Sequence, residues 1–270
     1  MVGVGNTKFY EDMDAAIPTD RTGAVVIAGA PAIVTFTVFN DTLLMCSSNG
    51  DAPWKWSGSG NAAALGGSPP AFKTMAAKWN RVFGAGHTAA ARTIRYSALG
   101  DGETWAAAST VPSILDDASS AVQGVDEILQ LSDLGDSLFV GLRDTIGRVL
   151  YTGDSVTPFK YDTIAAFGVE SAKSYVPYGT GGYFLTRRGV HYVRPTDAAI
   201  SFESSLVKSP TQLLTTIGAS STLTTAGGDT CHFGGNTYCV WYLVAGAGKA
   251  LLLMNVTDGP GHERFALWTF

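Results

Sequence analysis

Charge is what this chain has least of. Asp, Glu, Lys and Arg make up only 15% of its 270 residues, the formal net charge is −5, and no basic run exceeds the pair Arg187-Arg188. Binding nucleic acid by neutralising phosphates needs clustered cations, so that class of function is not expected. No stretch of about 18 apolar residues is present, the length a membrane-spanning helix requires. Residues 1–10 also lack the basic-then-apolar order of a secretion signal, and neither membrane insertion nor classical secretion is expected. The four histidines, His87, His191, His232 and His262, form no HxH or HExxH spacing. There is no GxSxG nucleophile motif, and the glycine pairs at 3 and 5 and at 84 and 86 complete no GxGxxG phosphate cradle. The sequence points to no catalytic residue, no cofactor and no metal, and so to a protein that is not an enzyme.

Turns and apolar residues are what the chain does have. Hydrophobic residues reach 46%, and 32 Gly with 11 Pro supply many turns, the composition of a globular chain with a sizeable core. An apolar run, a tight Gly/Asn/Asp turn and a second apolar run recur five times: 33–39 with 42–47, 72–77 with 81–85, 127–132 with 137–142, 172–178 with 182–187, and 229–233 with 237–244. The turns are read as 40–41, 78–80, 133–136, 179–181 and 234–236, rich in residues that tolerate φ > 0. The hairpins start roughly 40 to 55 residues apart, about the length of a four-stranded propeller blade. The expected fold is all-β, a β-propeller of about five four-stranded blades. A β-sandwich is the competing architecture, but it does not account for a repeat of this length.

Further strands complete each blade: 53–57 in the first; 92–97 and 103–106 in the second; 147–151 and 158–161 in the third; 190–194 and 200–203 in the fourth; 249–256 and 263–268 in the fifth. Residues 1–30 form a lead-in with one strand-like run, 23–28, and 31–270 form the propeller domain. Pairing 23–28 with 263–268 would close the ring and remove two exposed sheet edges. Residues 111–125 read as a loop, and 211–217 have the spacing of a short amphipathic helix.

Several stretches resemble the blade pattern of β-propeller virion proteins in tailed bacteriophages. They are PWKWSG at 53–58, ALGGSPP at 64–70, NRVFGAG at 80–86 and YSALGD at 96–101 closed by Trp105, with GDSLFV at 135–140 and GYFLTRRGV at 182–190. The resemblance covers most of 33–203, with a weaker echo in 236–268. It implies a structural component of the phage particle, in the tail, nozzle or head-to-tail region, made in the host cytoplasm. Its partners would be other virion proteins and copies of itself in a ring or symmetric assembly. The chain is short for members with a second, tube-forming domain, which leaves the nozzle identity open.

Two rival functions remain. A glycan-binding propeller recognising a host surface glycan is suggested by Trp54 and Trp56, which share one strand face by alternation and would suit a sugar platform or a protein interface. Packing between blades is the commoner role for such a pair. A glycoside hydrolase needs two carboxylates across the scissile bond, yet the aspartates sit mainly in turns. The segment from Ser97 to Trp105 approaches the Asp-box turn of sialidase-like propellers, with Asp101 displaced by one position, and such a turn is structural. Of the three cysteines, Cys46, Cys231 and Cys239, the last two would lie opposite each other if 234–236 closed a three-residue hairpin. A disulfide is conceivable there, with two reduced, buried thiols as the alternative.

Overall fold

The computed structural model describes residues 1–5, 7–29, 33–87, 90–106, 109–111, 126–186, 189–195, 200–202, 227–245, 248–259 and 264–269. Among these residues the chain is all-β, without a helix, and its small antiparallel sheets each run in meander order. The first sheet holds β1 (Val2–Gly5), β2 (Lys8–Glu11) and β3 (Thr19–Asp20). The second holds β4 (Val34–Phe39), β5 (Thr42–Ser47), β6 (Trp54–Trp56) and β7 (Ala63–Ala64), and the third β8 (Thr74–Lys78), β9 (Arg81–His87) and β10 (Ala90–Tyr96). The fourth comprises β11 (Ile128–Leu134), β12 (Ser137–Leu142), β13 (Ile146–Tyr151) and β14 (Phe159–Ala165). The fifth comprises β15 (Tyr175–Tyr178), β16 (Gly181–Thr186), β17 (Gly189–Val193) and β18 (Ile200–Phe202). The sixth comprises β19 (Gly227–Phe233), β20 (Asn236–Ala245), β21 (Gly248–Asn255) and β22 (Arg264–Thr269). The chain divides into two compact units, 1–131 with 151–161, and 132–150 with 162–270.

All five hairpins are present, and each closes with two residues. Phe39 pairs with Thr42, Lys78 with Arg81, Tyr178 with Gly181 and Phe233 with Asn236, while β11 and β12 are separated by Gly135-Asp136. Asn40-Asp41, Trp79-Asn80 and Gly234-Gly235 have φ > 0 at both positions, as a type I′ turn requires. Gly135 and Gly179 have positive φ at the first position only, the requirement of type II′. The two-residue closures correct the longer turns read from sequence, because Lys78, Gly181 and Asn236 belong to the ladders.

That one-residue difference decides the cysteines. Cys231 pairs with Tyr238 and Cys239 with Thr230, so the two thiols occupy opposite faces of the sheet. Cys231 is exposed, Cys239 and Cys46 are buried, and none of the three is in a disulfide.

In the first unit, Phe9, Ile27, Val34, Met45, Trp54 and Ala62 form a core shared by the first and second sheets. Phe39, Leu44, Cys46, Leu65, Phe72, Met75 and Val82 form another between the second and third. In the second unit, Val176, Tyr183, Leu185 and Tyr192 of the fifth sheet pack against Cys239, Trp241, Leu243, Leu252 and Met254 of the sixth. Each large side chain buried this way contributes about 1.5–3 kcal/mol. One device recurs in both units: an aromatic ring fills the space that a glycine's missing Cβ leaves open. A Cβ on Gly84 would fall 2.3 Å from the Phe72 ring, and one on Gly182 would fall 2.3 Å from the Tyr175 ring.

Three expectations about strands are corrected. Residues 23–28 form no strand; Gly23 and Gly29 have positive φ, and Ile27 plugs the first core. The N-terminal pairing comes instead from β1 to β3, and β22 pairs only with β21 among the described residues. Residues 103–106 are not a strand either, because they complete a turn; Thr110 takes the place beside β10 through a single bridge to Arg95. The amphipathic segment 211–217, residues 112–125 and the pair Arg187-Arg188 lie outside the described residues.

Candidate functional site

The tryptophans come first. Trp54 pairs with Met45 and Trp56 with Leu43, and both rings point to the face covered by the first sheet, as alternation requires. Trp54 is 0% exposed, so it offers no accessible surface, which corrects its place in an interaction platform. Its indole N–H has no hydrogen-bond partner, an omission that costs about 1–3 kcal/mol. Trp56 is half-buried, meets Phe9 edge-on at 5.6 Å and donates its N–H to the Gly60 carbonyl at 3.1 Å. The pair is a packing element.

The Asp-box-like segment is a closed turn. Asp101 accepts hydrogen bonds from the Glu103 N–H and the Thr104 hydroxyl, both at 2.7 Å, and Trp105 donates to the Gly102 carbonyl at 3.0 Å. The Thr104 hydroxyl, with the Glu103 N–H, holds the Asp101 carboxyl below its ordinary value. The turn also reaches the second sheet. Asn40 donates to the Gly100 carbonyl, and Glu103 accepts from Lys55 Nζ at 2.7 Å and from the Gly66 N–H at 2.6 Å. Gly67 passes so close to the Glu103 carbonyl that any Cβ would overlap it. The Lys55 hydrogen bond lowers the Glu103 carboxyl, against a smaller opposing effect of burial. Asp154 is used similarly, accepting the Val156 and Thr157 N–H groups.

The histidines are dispersed. His191 is buried in β17, His87 ends β9 with its basicity lowered by burial and then by Arg95, and His232 lies 3.1 Å from the Thr237 hydroxyl. His262 lies outside the described residues. Among the described residues no group of three or more His, Cys, Asp or Glu side chains could hold a metal ion.

A cavity of about 240 Å³ in the second unit is lined by Arg143, Asp144, Phe167, Gly168, Glu170 and Thr186. Arg143 and Asp144 belong to the turn after β12, residues 167–170 to the connection between β14 and β15, and Thr186 ends β16. The connection is locked. Val169 donates to the Leu142 carbonyl at 2.8 Å and Glu170 to the Leu185 carbonyl at 3.2 Å, while a Cβ on Gly168 would lie 2.2 Å from the Arg143 carbonyl. The half-buried Phe167 ring is backed by His191 at 4.6 Å and lies nearly parallel to Phe184 at 6.2 Å. The sequence places the aspartates mainly in turns and gives no sign that these residues come together.

No protein-family model matches the chain, and no curated protein matches its sequence. Among solved structures, it is similar to the extracellular domain of a protein assigned to a hybrid two-component system of B. thetaiotaomicron (11% identity, TM-score 0.48), covering 99% of this chain and 39% of that one. It is also similar to PorZ, a surface component of the type-IX secretion system of Porphyromonas gingivalis (12% identity, TM-score 0.40), covering 100% of this chain and 32% of that one. The chain thus spans well under half the length of these structures, and at such TM-scores the likeness supports no functional reading.

Proposed function

We propose that the chain is a structural component of a tailed phage particle, in the tail, nozzle or head-to-tail region, acting through protein–protein contacts. In this reading its sheets are the blades of a closed β-propeller of about five four-stranded blades, to which the N-terminal three-stranded sheet would add. The observation that carries the proposal is the repeated packing unit: meander sheets whose cores are shared by sheets consecutive in sequence, between the second and third and between the fifth and sixth. Propeller blades pack in this manner.

The blade-like stretches of sequence supply the virion context. The placement of Asp101, Glu103 and Asp154 on backbone N–H groups fits a scaffold better than a hydrolase. Exposed apolar side chains such as Val38, Val156, Phe233 and Trp268 offer surface for neighbours, which would be other virion proteins or further copies of the chain. Electron microscopy of particles made with altered chains tests the proposal. Deleting the hairpin 127–142 should abolish particle formation, whereas Asp101→Ala should leave it intact. Equal loss from the point change, in a chain that still folds, would overturn the assembly role.

A further inference from the structure

We infer that the cavity of the second unit binds a single neutral sugar residue of a glycan. The inference is independent of the assembly reading, because a scaffold protein can carry such a pocket or lack it.

Part of the cavity lining is an aromatic ring packed among others. Phe167 lies 4.6 Å from His191 and 6.2 Å from Phe184, Phe184 lies 5.8 Å from Phe139, and Phe139 stacks on Tyr175 at 4.2 Å and 18°. An aromatic face suits the apolar C–H face of a pyranose, leaving the sugar hydroxyls to the rim. The rim supplies the complementary polar chemistry. Arg143 is a donor only, Asp144 and Glu170 as carboxylates are acceptors only, and Thr186 carries a hydroxyl. A sugar hydroxyl both donates and accepts, so one ligand can use every one of these groups.

Charge and size narrow the ligand further. One cation and two anions line the cavity, a balance that disfavours an acidic sugar. Arg143 in the same wall opposes an ammonium group. A neutral polyol adds hydrogen bonds to these groups without bringing a charge of its own that would have to be desolvated. The volume of about 240 Å³ lies below the roughly 300–1,000 Å³ of pockets for drug-sized ligands, which fits one ring at the end of a longer chain. The wall is preorganised by the contact of Gly168 with the Arg143 carbonyl and by the two hydrogen bonds of 169 and 170, so little ordering is left for the ligand to impose.

The test applies the full chain to an immobilised array of neutral hexose, N-acetylhexosamine and deoxyhexose oligosaccharides together with sialylated ones. The retained glycan is then titrated by calorimetry. At least one neutral glycan should be held, and Phe167→Leu, Glu170→Gln and Thr186→Val should each weaken it, Glu170→Gln by about tenfold or more because a charged hydrogen bond is lost. Val156→Ser, at an exposed loop in the first unit, should change nothing. Melting curves identify any variant that fails to fold, and the near-isosteric Glu170→Gln and Thr186→Val carry the conclusion if Phe167→Leu is one. The inference is overturned if no neutral glycan is retained, if sialylated glycans are preferred, or if folded rim variants bind as well as the parent.

Discussion

The junction between the second and third sheets and the junction between the fifth and sixth solve the same packing problem with different chemistry. The first combines an apolar core with a polar clamp, in which Glu103 joins Lys55 and the Gly66 N–H, Asn40 holds the Gly100 carbonyl, and Thr37 accepts from the Ala77 N–H. Lys55 and Glu103 are 34% and 41% exposed, so water and salt screen their attraction. The second junction has a larger aromatic core and carries two uncharged cross-sheet side-chain bonds: Trp241 Nε1 donates to the Ser174 carbonyl at 2.8 Å and the Tyr178 hydroxyl to the Val256 carbonyl at 2.6 Å. Neutral bonds of this kind neither titrate across the physiological range nor are screened by salt. The clamped junction carries the Lys55–Glu103 pair, whose attraction depends on both pH and salt.

Breaking the neutral junction should have the largest effect. Trp241→Ala removes a ring that is 0% exposed and strands the Ser174 carbonyl, with an expected loss of about 3–5 kcal/mol in denaturant melts. Next come the glycines beneath aromatic rings. Gly182→Ala and Gly84→Ala should each cost about 1–3 kcal/mol by overpacking, since rigid Tyr175 and Phe72 rings occupy the Cβ positions. Comparable losses at the two sites would show that the ring-over-glycine device works alike in both units.

Tyr178→Phe deletes one hydrogen bond and should cost about 0.5–1.5 kcal/mol, equally at pH 4 and pH 7. The smallest effect is the most discriminating. Glu103→Gln should cost under about 1 kcal/mol at neutral pH, because the pair is partly exposed. The Glu103 carboxyl titrates below its ordinary value of 4.5 in the folded chain, chiefly through the Lys55 hydrogen bond. Its contribution is therefore complete above that value and is lost as the pH falls through the lowered one. Parallel urea melts should show the difference between parent and Glu103→Gln narrowing on acidification and on adding salt, while the Tyr178→Phe difference stays constant.

The hairpins were legible because their turns carry residues that accept positive φ and their flanks are apolar, two signals that agree locally. Their exact closure was not, since Lys78, Gly181 and Asn236 look like turn residues yet pair in ladders. The first sheet escaped notice because Gly3 and Gly5 interrupt the apolar pattern of β1, whereas 23–28 mimics a strand while Val25 and Ile27 pack into the first core. Trp54 and Trp56 were placed on one face, but nothing local to β6 says that another sheet covers it. The cavity was the least legible feature. Its lining comes from two connections and the end of β16, separated by whole strands, so no local stretch of sequence brings these residues together.

The tight closure of the sixth-sheet hairpin has a practical consequence. Because the register turns Cys231 outward and Cys239 inward, and Cys46 is also buried, a maleimide reagent applied to the folded chain meets one accessible thiol among three. The natural sequence therefore offers a single attachment point for a fluorophore or spin label, close to the Gly234-Gly235 tip and beside the exposed Phe233 ring. A dye placed there would report directly on whether that face is open or covered when the chain meets its neighbours, without any engineered residue.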